Sequence, residues 1–238
     1  MQIDISLVAP CLNEEENVAV LAKRFFDASR QHPYTVEIVF VDDGSTDSTA
    51  SKIESLMEEY GERVRLVRHP RNQGIPKSWI SGWEASRGTH VCLIDSDLQN
   101  PPEAVFEMFH SLRLSSADYV QAVRRPAIRR NFSRVLMSRL LNSILNHVFK
   151  MSARDNKSGF ILTDHNKMRS ILEHHGIYRH FQTFVGVSAN AKGFSAIEID
   201  TPFEDRRAGV SFLAGKSVRV AVEVLRDIRV ARQEFRRF

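Results

Sequence analysis

Two aspartates stand one residue apart in VCLIDSDLQNPPE, Val91 to Glu103, at the end of an apolar run. Ionised carboxylates are acceptor-only oxygen ligands, and an alternating strand end sets Asp95 and Asp97 along one rim. Two more acidic groups also follow apolar, strand-like runs: Glu14 in PCLNEEEN, and Asp42 and Asp43 in VFVDDGSTDST. In open α/β sheets ligands bind outside the carboxyl ends of the strands, so these groups would share one edge. Three acidic clusters on one edge repel each other unless positive charge sits among them. A hard divalent cation carrying its own phosphates meets that need, because Mg²⁺ takes one or two carboxylates and fills its shell with phosphate and water. Mg²⁺ or Mn²⁺ and a phosphate-bearing ligand are therefore expected at Asp95 and Asp97.

The elements that would place these groups alternate along the chain. Ile3 to Ala9 reads as a first strand, followed by a helix from Asn17 to about Arg30 with Val18, Leu21 and Phe25 at helical spacing. Val36 to Val41 is a second strand. Gly44 then permits a tight turn, and Ser45, Thr46 or Asp47 caps a helix that runs to Tyr60 and stops at Gly61. Val64 to Val67 is a short third strand, Ile75 to Arg87 a helix closed by Gly88, and Val91 to Ile94 the fourth strand. Pro101 and Pro102 suit the first turn of a helix reaching Leu114, and Tyr119 to Val123 is a fifth strand. Strand and helix in alternation predict an α/β fold with a mainly parallel central sheet flanked by helices. Beyond Arg124 the alternation weakens.

A chain of 238 residues, 42% hydrophobic, holds enough apolar surface for one domain, taken here as 1–215, with a C-terminal appendage over 216–238. The appendage carries seven basic and three acidic residues, an excess equal to the net charge of +4 of the whole chain. Its apolar residues recur at helical spacing, which describes a basic amphipathic helix. Such a helix lies on an anionic membrane surface or docks on protein. Arg129 to Lys150 is a second basic amphipathic stretch. A net charge this small gives no reason to expect nucleic acid. Cys11 and Cys92 lie in no metal or disulfide pattern and read as core residues, as do Trp79 and Trp83, four apart on a helix. The histidines show no metal-ligand spacing. The N-terminal MQIDISLVAP carries Asp4 where a leader would be basic, and no apolar run approaches the roughly 20 residues of a spanning helix. A cytoplasmic protein, peripheral at the inner face of the membrane, is expected.

SLVAPCLNEEENV, VFVDDGSTDST, NQGIPKSWISGWEASRGTHVCLIDSDLQNPPE, DNKSGF and FEDRRAGVS, in that order, resemble the signature of family 2 glycosyltransferases with the GT-A fold. Within that family they are most similar to polyprenyl-phosphate (dolichol-phosphate) hexosyltransferases, over roughly residues 5 to 211. The resemblance implies an inverting transfer of a hexose from a nucleotide-diphosphate sugar, with UDP, GDP or dTDP as the nucleotide. It implies that Pro10, Asn13, Glu14, Asp42 and Asp43 bind the nucleotide, and that Asp95 and Asp97 are the DxD pair facing metal and diphosphate. It adds Gln99 as a polar position close to the metal and makes Arg124 and Arg206 phosphate clamps. Asp155, Ser158 and Ser211 fall on the acceptor side. The pattern is broken at two points: Phe212 stands where relatives usually carry lysine, and Ile161 where they often carry arginine.

Two acceptors stay open. A polyprenyl phosphate is already anionic and needs only alignment, whereas a sugar hydroxyl in polysaccharide assembly needs a general base, for which Asp155, Glu204 and Asp205 are the late acids. Other classes fit poorly. A haloacid-type phosphatase carries its DxD after the first strand, and a dinucleotide oxidoreductase needs G-x-G-x-x-G where this chain has PCLNEEEN. The nucleotide, the sugar and the choice between monomer and homo-oligomer are not set by the sequence.

Overall fold

The computed structural model describes residues 2–125, 132–174, 176, 178, 180–204 and 217–235, with the backbone alone at 132–137 and 217–222. Seven strands form one sheet: β1 (Ile3–Cys11), β2 (Val36–Asp42), β3 (Val64–Arg68), β4 (Gly88–Leu93), β5 (Tyr119–Arg125), β6 (Ile161–Asp164) and β7 (Ala196–Pro202). Their order is β3-β2-β1-β4-β6-β5-β7. β6 runs antiparallel to both β4 and β5, and every other pairing is parallel. The expected α/β fold with a mainly parallel sheet is therefore present.

Among the described residues eight α-helices accompany the sheet: α1 (Val18–Ser29), α2 (Thr49–Tyr60), α3 (Ile75–Ala85), α4 (Ala104–Leu114), α5 (Phe132–Phe149), α6 (His165–Leu172), α7 (Val185–Ala191) and α8 (Ser217–Glu234). Strand alternation divides the core. Ile5, Leu7, Ile38, Phe40 and Cys92 pack with Leu21 and Phe25 of α1, Ile53 of α2 and Phe106 of α4 on one face. Val8, Val39, Val91 and Leu93 pack with Trp79 of α3 and with residues of α6, α7 and α8 on the other. α3 lies so close to β1 that a Cβ on Gly82 would stand 2.3 Å from Val8 Cγ1. Cys11 and Cys92 are free and buried, as expected of core residues, and burial pushes both thiols up. Trp79 is fully buried, while Trp83 is half-buried and donates its ring N–H to His165 O at 2.9 Å.

Two element boundaries differ from expectation. Pro101 and Pro102 form the turn ahead of α4, where their carbonyls accept from Ala104 N and Val105 N. β4 begins three residues earlier than its apolar run, because Gly88 already pairs with Ile3 where the two parallel strands start. The C-terminal helix α8 turns Val224, Ile228, Ala231 and Phe235 into the second core cluster, against Tyr178, Phe181 and Phe184. From Val224 onward its apolar face is thus occupied by protein.

Candidate active site

The loops after β1 and β2 hold one another. Asn13 adopts φ 55°, the left-handed region that Asn tolerates. Its N–H donates to Ser45 Oγ at 2.9 Å, and its side-chain oxygen accepts from Thr46 N at 2.9 Å. Glu14 N donates to Thr49 Oγ1 at 2.9 Å, and Ser48 N donates back to Glu15 Oε2 at 3.2 Å. Gly44, at φ 80°, lets this loop pass the next one, since a Cβ there would lie 2.7 Å from the Arg71 backbone. Pro10 is the penultimate residue of β1, and its carbonyl accepts from Ser96 Oγ at 2.7 Å.

An open cleft of about 430 Å³ follows, lined by Asp42, Gly44, Ser45, Arg68 and His69 among others. Asp42 lies at its floor, 2% exposed, with Oδ1 accepting from Ser45 N at 2.9 Å and Oδ2 3.9 Å from Arg68 Nε. A carboxylate beside a guanidinium pairs N–H donors and carbonyl acceptors presented together, as on a uracil or guanine edge. Asp43 is placed differently. Its oxygens accept from Gln73 N and Gly74 N, both at 2.8 Å, and Oδ1 lies 2.7 Å from His69 Nδ1. It fastens the loop that walls the cleft.

Ser96 is buried and bonded to Pro10 O, so the residues on either side of it, Asp95 and Asp97, stand half-exposed at the rim. The turn that follows is held by Leu98, fully buried at φ 60°, a strained backbone state for leucine that core packing enforces. Gln99 N donates to Asp97 Oδ1 at 3.1 Å, and Gln99 Nε2 reaches Glu204 O at 3.4 Å. Among the described residues no group of three or more His, Cys, Asp and Glu side chains forms a metal cluster. Two hard carboxylates with an amide nearby nevertheless suit Mg²⁺ or Mn²⁺ when diphosphate and water complete the shell.

Arg124, at the end of β5, faces these acids. Its Nε and Nη2 donate to the two oxygens of Asp155 at 2.7 and 2.8 Å, and its guanidinium lies 5.3 Å from the Phe203 ring centroid. Burial works against the charge of Arg124, but Asp155 first, then Asp95 and Asp97, hold it above its ordinary value. Burial likewise pushes Asp155 up, and the Arg124 fork overrides it, leaving the carboxyl below the usual range. Gln121 supports the same loop, donating to Ser158 O at 2.8 Å, while Ser158 is itself buried. Asn142 and Asn146 of α5 hold Asn156 through their side-chain oxygens.

The structure thus gathers Asn13, Glu14, Asp42, Asp95, Asp97, Gln99, Arg124 and Asp155 at one end of the sheet, and puts Asp43 and Ser158 in supporting positions. Arg206 and Ser211 lie outside the described residues. The sequence reading missed Arg68, which walls the cleft, and Gln182, whose Nε2 donates to Asp95 Oδ1 at 3.2 Å. Arg68 stands one residue past its strand run and had a positional signal; Gln182 had none.

A sheet of this order with carboxylates on its carboxyl rim defines the GT-A class of nucleotide-sugar-binding α/β folds. The family described as Glycosyl transferase family 2 matches residues 6–176, and the chain belongs to it. It is 32% identical over 212 residues to the undecaprenyl-phosphate 4-deoxy-4-formamido-L-arabinose transferase of Pseudomonas fluorescens (strain SBW25), covering 87% of this chain and 59% of that one. It is 29% identical over 153 residues to the dodecaprenyl-phosphate galacturonate synthase of Rhizobium johnstonii, covering 64% of this chain and 45% of the relative. The chain therefore spans only about half to three fifths of the length of these relatives. Among solved structures it is similar in fold to glucosyl-3-phosphoglycerate synthase from Mycobacterium tuberculosis in complex with Mn²⁺, UDP and glucosyl-3-phosphoglycerate. That likeness has a TM-score of 0.66 and 20% identity, and covers 96% of this chain and 81% of that chain.

Proposed function

We propose that the protein transfers a hexose from a nucleotide-diphosphate sugar to a polyprenyl phosphate with inversion at C1. The observation that carries this reading is the run from the Asp42 cleft to Asp95 and Asp97 on one rim, a base-sized recess followed by a cation site. Asp42 and Arg68 take the base edge, the clasped loops at Asn13 and Glu14 take the ribose side, and Asp95, Asp97 and Gln99 hold a divalent metal. When bound, that metal neutralises the charge of the departing diphosphate. An acceptor phosphate oxygen forms the bond to C1 as the bond from C1 to the diphosphate oxygen breaks, and the nucleoside diphosphate leaves. The chain supplies alignment and fixed positive charge from Arg124 and, in the proposal, Arg206.

A phosphate acceptor is favoured over a hydroxyl by what two of the three late acids, Asp155 and Glu204, already do; Asp205 lies outside the described residues. Asp155 is bound by both arms of Arg124, and Glu204 accepts from Arg24 at 3.1 Å. Asp155, held below its usual range by the Arg124 fork, is a weak base. The two relatives are named for undecaprenyl- and dodecaprenyl-phosphate products, which supports the same choice.

The lipid acceptor calls for a membrane surface, and the charge distribution on α8 supports one. Glu223, Asp227 and Glu234 contact His180, Gly176 and Tyr178, whereas Arg226, Arg229 and Arg232 are exposed together with Leu225. With its apolar face docked from Val224 onward, α8 would meet anionic lipid mainly through arginines, an electrostatic and salt-sensitive contact. Arg139, Leu140 and Lys150 are exposed on and just after α5 and would add to it. No helix among the described residues is long and apolar enough to cross a membrane.

The test offers purified protein a labelled UDP-, GDP- or dTDP-sugar with either a polyprenyl phosphate or a soluble sugar acceptor. Product on the lipid phosphate is expected. Product only on the soluble sugar, lost in Asp155→Asn, Glu204→Gln or Asp205→Asn, would install the hydroxyl acceptor instead.

A further inference from the structure

Asp95 does not stand on its own loop alone. Gln182 reaches it from the other side of the sequence, on a 3-10 turn, Phe181–Phe184, that belongs to no motif. Side-chain amides are neutral donors that add no competing charge, so one N–H on Oδ1 fixes the carboxylate's rotation without neutralising it.

The turn is itself held from behind by α8. Asp227 is fully buried, and its Oδ2 accepts from His180 N at 2.8 Å, two residues before Gln182. Glu223, one helical turn earlier on the same face, lies 3.2 Å from His180 Nε2. Glu234 at the far end accepts from Tyr178 Oη and Gly176 N. Between these polar anchors, Phe181 and Phe184 pack in one cluster with Val224, Ile228 and Ala231. Every acidic side chain of α8 is thus spent on the segment that carries Gln182. A buried carboxylate whose partner is a backbone N–H is costly to keep unless it fixes that backbone.

We infer that Gln182 is a positioning residue for Asp95, and that α8, through Asp227 and Glu223, holds Gln182 where it can act. This rests on the reading that Asp95 and Asp97 take a divalent metal with a nucleoside diphosphate. The link runs from α8 to His180, along two residues of backbone to Gln182, and across 3.2 Å to Asp95. It makes the affinity of the rim for metal depend on a helix that has no part in the cleft.

The experiment titrates Mn²⁺ into full-length protein in the presence of saturating nucleoside diphosphate, followed by calorimetry and by the Mn²⁺ electron paramagnetic resonance signal, with thermal stability measured without metal. Gln182→Ala should weaken Mn²⁺ about tenfold, the size of one hydrogen bond to a charged group, with the metal-free melting temperature close to wild type. Asp227→Asn keeps the volume of the buried side chain and should weaken Mn²⁺ in the same direction along with some loss of stability. Metal activation of turnover should shift to higher concentration in Gln182→Ala while kcat at saturating metal changes little. Wild-type affinity in Gln182→Ala would overturn the inference with the metal site intact. Failure of wild-type protein to bind Mn²⁺ with any of UDP, GDP or dTDP would instead remove the reading of the site on which it rests. A lower melting temperature with unchanged Mn²⁺ affinity in both variants would reduce the link to fold maintenance and overturn it as well.

Discussion

The two halves of the rim are built by different means. On the nucleotide side, β1, β2 and β3 are parallel neighbours, and their loops are fastened by contacts between short motifs, Asn13 with Ser45 and Thr46, Asp43 with Gln73 and Gly74. On the other side β6 reverses direction between β4 and β5, and the loops are fastened by half-buried ion pairs and amides from distant segments, Arg124 with Asp155, Gln121 with the 155–158 loop, Gln182 with Asp95. The first half is a rigid receptor made of local turns. The second is a charged seam that long-range packing must assemble.

The largest separation between the halves should come at their junction. Asp97→Asn is expected to lower metal-dependent turnover by about a hundredfold or more, as loss of a group that offsets developing charge does. The melting temperature should stay near wild type because Asp97 is half-exposed. Full turnover in that variant, or in wild type with EDTA, would end the assignment.

Next comes the seam itself. Asp155 is 13% exposed with Arg124 in place, so Arg124→Ala strips a half-buried carboxylate of its guanidinium and should cost about 2 to 3 kcal/mol in denaturant unfolding. The double variant Arg124→Ala/Asp155→Ala should recover part of that loss, since the stranded charge is gone. A loss in the double variant equal to the sum of the two single losses would mean that the pair is not coupled. The local clasp should cost less. Asn13→Ala removes the bond from Thr46 N and leaves alanine at φ 55°, for about 1 to 2 kcal/mol, with a rise in the KM for donor and little change in kcat.

The smallest effect belongs to acid. Lys167, with Ser195 N and Oγ, holds the Asp118 carboxyl down at about 2. A group depressed in the folded state contributes stability that is complete above its unfolded value and is lost as pH falls through the folded one. Melting temperature should therefore decline between about pH 4 and pH 2 by more in wild type than in Asp118→Asn. Parallel curves would show that this contact, which joins the starts of β5 and β7 to α6, carries no linkage.

What could be read from the sequence follows the same division. The turn chemistry of Gly44 and Asn13 and the aspartates behind an apolar strand are local signals, so the nucleotide half and the DxD rim are legible residue by residue. Asp42 and Asp43 look equivalent in VDDGSTD, yet strand alternation sends one to the cleft floor and the other to the neighbouring loop. β6 has only four residues and no turn signal, and its antiparallel course is fixed by pairing with strands far away in sequence. α8 reads as amphipathic, but its periodicity does not say whether lipid or protein covers the apolar face. Tyr178, Phe181 and Phe184 settle that. Gln121 and Gln182 carry no pattern because single amides act wherever the fold brings them.

The claim that joins both halves is that Asp95 and Asp97 bind a divalent metal together with a nucleoside diphosphate seated in the Asp42 cleft. It is tested most directly by calorimetric titration of UDP, GDP and dTDP into wild type and Asp97→Asn, each with Mn²⁺ and with EDTA. One nucleotide should bind wild type at least roughly tenfold more tightly with Mn²⁺ than with EDTA, and that gain should vanish in Asp97→Asn while the weak, metal-free affinity stays. A gain that survives in Asp97→Asn, or no nucleotide bound under either condition, would contradict it.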